Sequence, residues 1–325
     1  RKQPRAAVHR TATRGRPTIT WSVNRGQPCT FDCYLKTQRG VPIDADLLRV
    51  PVGPGSLHVE RYGLGGQAVL LVHGFGTNSF VWRHIGPDIA LANLRAFAVD
   101  MFGYGASDRP LDADYSIAAQ AEYLDRGLTA LRMARATVVG LDLGAAVALR
   151  FAAAHPERVD KLILVNPLSP DEIPASDVKS LQKNTARFAF RVSRGVMGAG
   201  PLLREMLRQS VSDPEKMPEP LVARYLAPYV GRDGVDHLLR TARFLNNSDL
   251  EEVDLRALPH PTLVVWGDRD PWVKSSVGDD LASTIGGSKL VHLPAAGRLV
   301  PEDAPEMLSD LLLDFIGARG SGGTI

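Results

Sequence analysis

The stretch VVGLDLGAAVALRFA (138–152) decides the fold. It reads as an apolar strand, a sharp turn and a helix. The turn Gly140-Leu141-Asp142-Leu143-Gly144 has the G-x-Nuc-x-G shape of a nucleophile elbow. Such a turn lifts one side chain above a sheet. Small residues are needed on either side because the backbone approaches itself there. The side chain lifted here is the carboxylate of Asp142.

Outward from the elbow, apolar runs bounded by turn signals alternate with helical segments. Strands are expected at 47–52, 57–61, 69–73, 96–100, 137–141, 162–165, 262–266 and 289–293. The first two alternate apolar and polar residues, which suits an antiparallel ribbon. The later runs are continuous Val, Ile and Leu, which suits strands buried on both faces. Helices fit at 81–92, 117–131, 145–155, 273–285 and 304–316. This order predicts an α/β fold: a doubly wound, mostly parallel, eight-stranded sheet. The rhythm breaks at Pro167, and from 168 to 257 the chain shows only helical periodicity cut by Pro and Gly. We therefore expect a core of 41–167 and 258–318, a helical cap at 168–257, an irregular basic extension at 1–40 and a flexible tail at 319–325.

With 325 residues, 44% hydrophobic and 23% charged, the composition is that of a globular protein. No apolar run reaches the length of a membrane span. Net charge is +2, but it is unevenly spread. Arg1, Lys2, Arg5, Arg10, Arg14, Arg16 and Arg25 all precede the first acid, Asp32. That opening resembles a transit segment or a basic arm for an acidic surface, with a plastid address or a cytoplasmic one as the two expectations. Cys29 and Cys33 cannot close a zinc site alone and read as reduced thiols. In the cap, Lys179, Lys183, Arg187 and Arg191 fall four apart, with Arg194 close behind. They line one helical face, a candidate contact for a protein complex or an anionic membrane surface. Phe188, Phe190, Met197, Leu202, Leu203, Met206 and Phe244 make an apolar small-molecule pocket plausible. No cofactor, metal or nucleic-acid signature is present.

Five ordered motifs carry a resemblance over 69–305. LLVHGFGTNSFVWR (70–83) is similar to the oxyanion-loop motif of α/β-hydrolases. VDMFGYGASDRP (99–110) matches the segment after the next strand, and VVGLDLGAA (138–146) the elbow. VVWGDRDPWV (264–273) matches the acid loop, and LPAAGRLVPEDAPE (293–306) falls where the family carries its histidine. The wording most resembles plastid pheophytinase-like hydrolases and their bacterial relatives. The elbow Asp resembles haloalkane dehalogenases and epoxide hydrolases. The resemblance implies oxyanion donors at the amides of Phe75 and Leu143, a nucleophile position at Asp142 and an orienting acid at Asp270, with Asp268 as the lesser candidate. It implies a base at Arg298. His73 reads as a turn-bracing residue. An epoxide reading would draw a phenol donor from Tyr225 or Tyr229.

The departures decide the functional expectation. A carboxylate can attack an sp³ carbon without a base, but the ester it forms must then be cleaved by deprotonated water. A guanidinium stays protonated and cannot draw that proton. His237, His260 and His292 are the candidate substitutes, and none falls at the loop position. The dehalogenase pattern is also short of its halide donors, since Phe75 and Leu143 stand at those positions. We therefore expect Asp142, Arg298 and Asp270 to form a carboxylate–guanidinium–carboxylate row in a catalytically silent or impaired scaffold. That scaffold would bind an apolar ligand or dock in a larger, membrane-associated complex. The alternatives are an active hydrolase of epoxide, carbon–halogen or ester bonds using Asp142, and a protein that alkylates Asp142 once and stops.

Overall fold

The computed structural model describes residues 43–182, 200–230 and 232–318. The basic opening, Cys29 and Cys33, the tail, and Lys183, Arg187, Arg191 and Arg194 of the cap stripe lie outside the described residues. So do Phe188, Phe190 and Met197. Lys179 is described, and is exposed.

Eight strands form one sheet: β1 (Asp46–Pro51), β2 (Ser56–Tyr62), β3 (Ala68–Val72), β4 (Arg95–Asp100), β5 (Ala136–Leu141), β6 (Val159–Val165), β7 (Thr262–Gly267) and β8 (Lys289–Leu293). Their spatial order is β1-β2-β4-β3-β5-β6-β7-β8. β2 runs antiparallel to both β1 and β4, and every other pairing is parallel. The hydropathy pattern explains the placement. Every residue of β3, β5 and β7 is buried, whereas β1 and β8 at the edges are mostly exposed or half-buried, without the alternation expected of β1. Each fully buried Val or Leu contributes roughly 1.5–3 kcal/mol over an exposed one, so the central strands fix the register.

The helices around the sheet are α1 (Ile85–Leu91), α2 (Ile117–Ala130), α3 (Leu143–Ala154), α9 (Ser276–Thr284), α10 (Val300–Asp303) and α11 (Pro305–Ile316). Between β6 and β7 the described residues are helical: α4 (Ser176–Gln182), α5 (Gly200–Gln209), α6 (Glu219–Leu226), α7 (Arg232–Phe244) and α8 (Ser248–Glu251), with short 3-10 turns.

Two segments differ from the sequence reading in an instructive way. The helix expected over 81–92 is split into a 3-10 turn, Ser79–Trp82, and α1. Asn78 caps the first turn by accepting from the Phe80 amide at 3.2 Å. Pro87 then sits in the first turn of α1, where its missing N–H costs nothing. β6 starts at Val159, three residues earlier than the apolar run, because Asp160 and Lys161 lie only half-buried in the strand.

Candidate active site

The elbow places Asp142 between β5 and α3 with φ 54° and ψ −116°. This lies outside even the left-handed α region, and L-residues rarely adopt it. The glycines beside it are sterically required. A Cβ on Gly140 would lie 2.3 Å from the Gly144 carbonyl oxygen, and one on Gly144 would lie 2.3 Å from that of Val72. The turn thus packs against the end of β3, and the Asp142 side chain meets the loop that follows β3.

Both oxygens of Asp142 are engaged. Oδ2 accepts from the Phe75 backbone amide at 2.9 Å, so one donor of the expected oxyanion frame holds the carboxylate itself. Oδ1 accepts from Arg298 Nε at 3.1 Å and from Arg298 Nη2 in a shorter contact. Asp142 and Arg298 are both almost fully buried. The Arg298 guanidinium also lies over the Trp272 ring, 5.3 Å from its centroid. Leu143 follows as the first residue of α3, its side chain buried.

Asp270 is held by its own turn and by Asn166. Its Oδ1 accepts from the amides of Trp272 at 2.9 Å and Val273 at 3.2 Å, and its Oδ2 from Asn166 Nδ2 at 3.1 Å. Asn166 is buried and ties the acid loop to β7 by accepting from Gly267 N at 2.8 Å. Asp142 and Arg298 pair as the row expects, and Asp270 closes a turn and takes the neutral amide of Asn166. The physical reason is that local backbone amides two and three residues on satisfy Asp270 Oδ1. Asn166, Trp272 and Asp303 were missed by sequence reasoning. An Asn directly after the apolar run of β6 was the available signal for the first.

The tyrosines expected as donors sit in other networks. Tyr225 is fully buried and its hydroxyl donates to Glu302 in a short contact. Glu302 in turn takes Arg83 through Nη1 at 2.6 Å and Nη2 at 2.7 Å. Burial, then the neighbouring Glu302 charge, pushes the Tyr225 phenol well up. Tyr229 is also buried, with its phenol raised by the same cause and its hydroxyl unpartnered among the described residues.

The imidazoles are committed elsewhere. His73 Nε2 accepts from the Met101 amide at 3.0 Å, bracing the loops after β3 and β4, and burial pulls its affinity for a proton down. His237 donates from Nε2 to the Gly103 carbonyl, and burial lowers its pKa to about 4. His292 Nδ1 meets Asp268 Oδ1 at 2.7 Å, and that hydrogen bond raises its pKa. His260 is buried just before β7, with its pKa lowered by burial.

Beside the ion pair is a cavity of about 30 Å³, lined by Phe75, Asp142, Leu203, Met206, Leu207 and Arg298 among others. Leu203, Met206 and Leu207 are the i, i+3, i+4 face of α5, so the cap roofs the site. That volume holds a water molecule or two. Phe244, the other apolar cap residue named from the sequence, packs edge-on against Tyr115 at 5.7 Å. Among the described residues, no group of three or more His, Cys, Asp or Glu is placed to hold a metal ion. No helix of the described residues is long and apolar enough to cross a membrane.

Chemically, the site presents a carboxylate with both oxygens hydrogen-bonded, Oδ1 twice by Arg298 and Oδ2 once by the Phe75 amide. A guanidinium on Oδ1 withdraws electron density, and an amide on Oδ2 does the same.

Comparison with known proteins gives this arrangement a context. A family model described as alpha/beta hydrolase fold matches residues 67–305. An uncharacterised hydrolase of Bacillus subtilis, YugF, is 26% identical over 270 residues, covering 82% of this chain and 97% of that protein. A 2-hydroxy-6-oxononadienedioate/2-hydroxy-6-oxononatrienedioate hydrolase of Burkholderia vietnamiensis is 28% identical over 272 residues, 80% of this chain and 90% of the relative. A crystal structure of an alpha/beta hydrolase fold protein from Burkholderia ambifaria superposes with a TM-score of 0.73 at 29% identity, covering 83% of this chain and 98% of that one.

Proposed function

Given that this chain belongs to the alpha/beta hydrolase fold family, we propose that it is a catalytically silent member, a scaffold that binds an apolar ligand or docks in a larger assembly. One observation carries the reading: Arg298 grips the Asp142 oxygen that the oxyanion frame leaves over. An attacking oxygen needs a lone pair aimed at the substrate, and a base must later activate water. Here Oδ1 faces a permanent cation, Oδ2 is held by a backbone amide, and that cation occupies the position of the base. The small cavity favours the docking form of the scaffold, since an apolar ligand of ordinary size would have to displace α5.

A second reading is favoured by the strained backbone of Asp142, which is retained at φ 54°. It is an active hydrolase of epoxide, carbon–halogen or ester bonds using Asp142 as nucleophile. The relatives named as hydrolases support it as well. A third, single alkylation of Asp142, needs no base.

Intact mass after incubation with epoxides, haloalkanes and aryl esters separates the three. The scaffold reading expects neither product nor adduct. Turnover would favour the second reading, and a stable adduct on Asp142 the third. Arg298→His supplies a base and frees Oδ1. Product formed by this variant but not by the parent chain would identify Arg298 as the block.

A further inference from the structure

We infer that Asp303 is a positioning residue for Arg298, through which the cap sets the Asp142–Arg298 pair. Asp303 follows Glu302 at the end of α10, and the two adjacent carboxylates face different partners. Glu302 takes Arg83 and Tyr225. Asp303, whose side chain is 0% exposed, takes the loop that carries Arg298. Its Oδ2 accepts from the Gly297 amide at 2.7 Å and from the Ser212 amide at 2.8 Å. Its Oδ1 accepts from Ser212 Oγ at 2.7 Å and faces Lys216 Nζ at 3.2 Å. One carboxylate therefore joins the residue before Arg298 to the cap segment between α5 and α6.

The residue after Arg298 is held by the cap as well. The Leu299 amide donates to the Ser210 carbonyl at 2.9 Å. Gly297 lies directly against the same segment: a Cβ there would be 2.8 Å from the Ser210 carbonyl oxygen and 3.1 Å from the Ser212 nitrogen. Arg298 is thus bracketed on both sides by groups that belong to, or are bonded to, residues 210–216. Hydrogen bonds weaken steeply once donor and acceptor move by a few tenths of an ångström or lose alignment. A displacement of this cap segment is therefore transmitted through Gly297 and Leu299 to the guanidinium, and loosens its hold on Asp142. Charge-assisted bonds at Asp303 make the coupling stiff. The inference concerns where the guanidinium sits, so it holds whether the pair is silent or turns over substrate.

The test is the rate at which phenylglyoxal modifies Arg298, read by peptide mass spectrometry, with Arg83 as the internal reference. Arg83 is equally buried and is tied to Glu302 rather than to Asp303. Asp303→Asn places an NH2 group among donors. It is expected to raise the Arg298 rate at least tenfold while Arg83 stays protected. An Arg298 rate within twofold of the parent would overturn the inference. If Asp303→Asn loosens the whole fold and both arginines react, the double variant Ser212→Ala/Lys216→Ala decides. It alters only the cap side of the contact, and a several-fold rise at Arg298 alone supports the inference. No rise, or equal rises at both arginines, overturns it.

Discussion

Arg298 lays Nε and Nη2 on Oδ1 of Asp142, a residue 156 positions earlier in the chain. The contact joins the loop after β8 to the elbow after β5, and both partners are buried. A buried ion pair is a poor source of net stability, because desolvation offsets much of the attraction. Losing one partner is costly for the same reason.

That asymmetry gives a double-mutant prediction. Arg298→Met strands a buried carboxylate and should cost about 3–5 kcal/mol in urea unfolding. Asp142→Asn removes the carboxylate that faces the guanidinium and should also destabilise the fold. Asn has the shape of Asp and still accepts from the Phe75 amide. The double variant removes both charges and should be much closer to the parent than the sum of the singles. Additive losses would mean that the two side chains do not act as a pair.

The elbow predicts a second outcome. Gly144→Ala drives a Cβ to within 2.3 Å of a β3 carbonyl oxygen, and backbone on both sides cannot yield. The expected loss is about 3 kcal/mol or more. Gly286→Ala is the control. A Cβ there meets nothing within 4 Å, and the expected change is a gain of about 0.5 kcal/mol. Equal effects at the two positions would contradict the steric account.

How much of this was legible in the sequence follows from where each signal resides. The strand–turn–helix of 138–152 and the continuous apolar runs reported the sheet, because burial on both faces leaves a one-dimensional trace. β7, at Thr262–Gly267, is such a run. The meeting of Asp142 and Arg298 was expected because the elbow and histidine-loop motifs place both residues at one site and their charges are opposite. The amide bonds that Asp270 takes from Trp272 and Val273 were not, since they depend on the local turn. Asp303 and the Arg83–Glu302–Tyr225 cluster were illegible for another reason. Each brings together residues from separate elements, and no periodicity marks such a meeting.

His237 predicts the acid limb of stability. Burial lowers its folded pKa to about 4 from an ordinary value of 6.5, and its hydrogen bond to Gly103 only partly opposes this. As pH falls below 6.5 the unfolded chain takes up the proton first, so its population grows. The stability held by the neutral imidazole is complete above 6.5, declines down to about 4 and is lost below it. The full difference is on the order of 3 kcal/mol. Urea unfolding of the parent and His237→Gln across this range should show a shallower acid decline in the variant. Parallel curves would exclude His237 as the cause.

Catalytic silence of the Asp142–Arg298 site is read from initial rates of the purified chain and of Asp142→Asn on one panel of esters, epoxides and haloalkanes at neutral pH. Rates at the level of the buffer blank for both proteins are predicted. Sustained cycling by the parent chain that disappears in Asp142→Asn would contradict it.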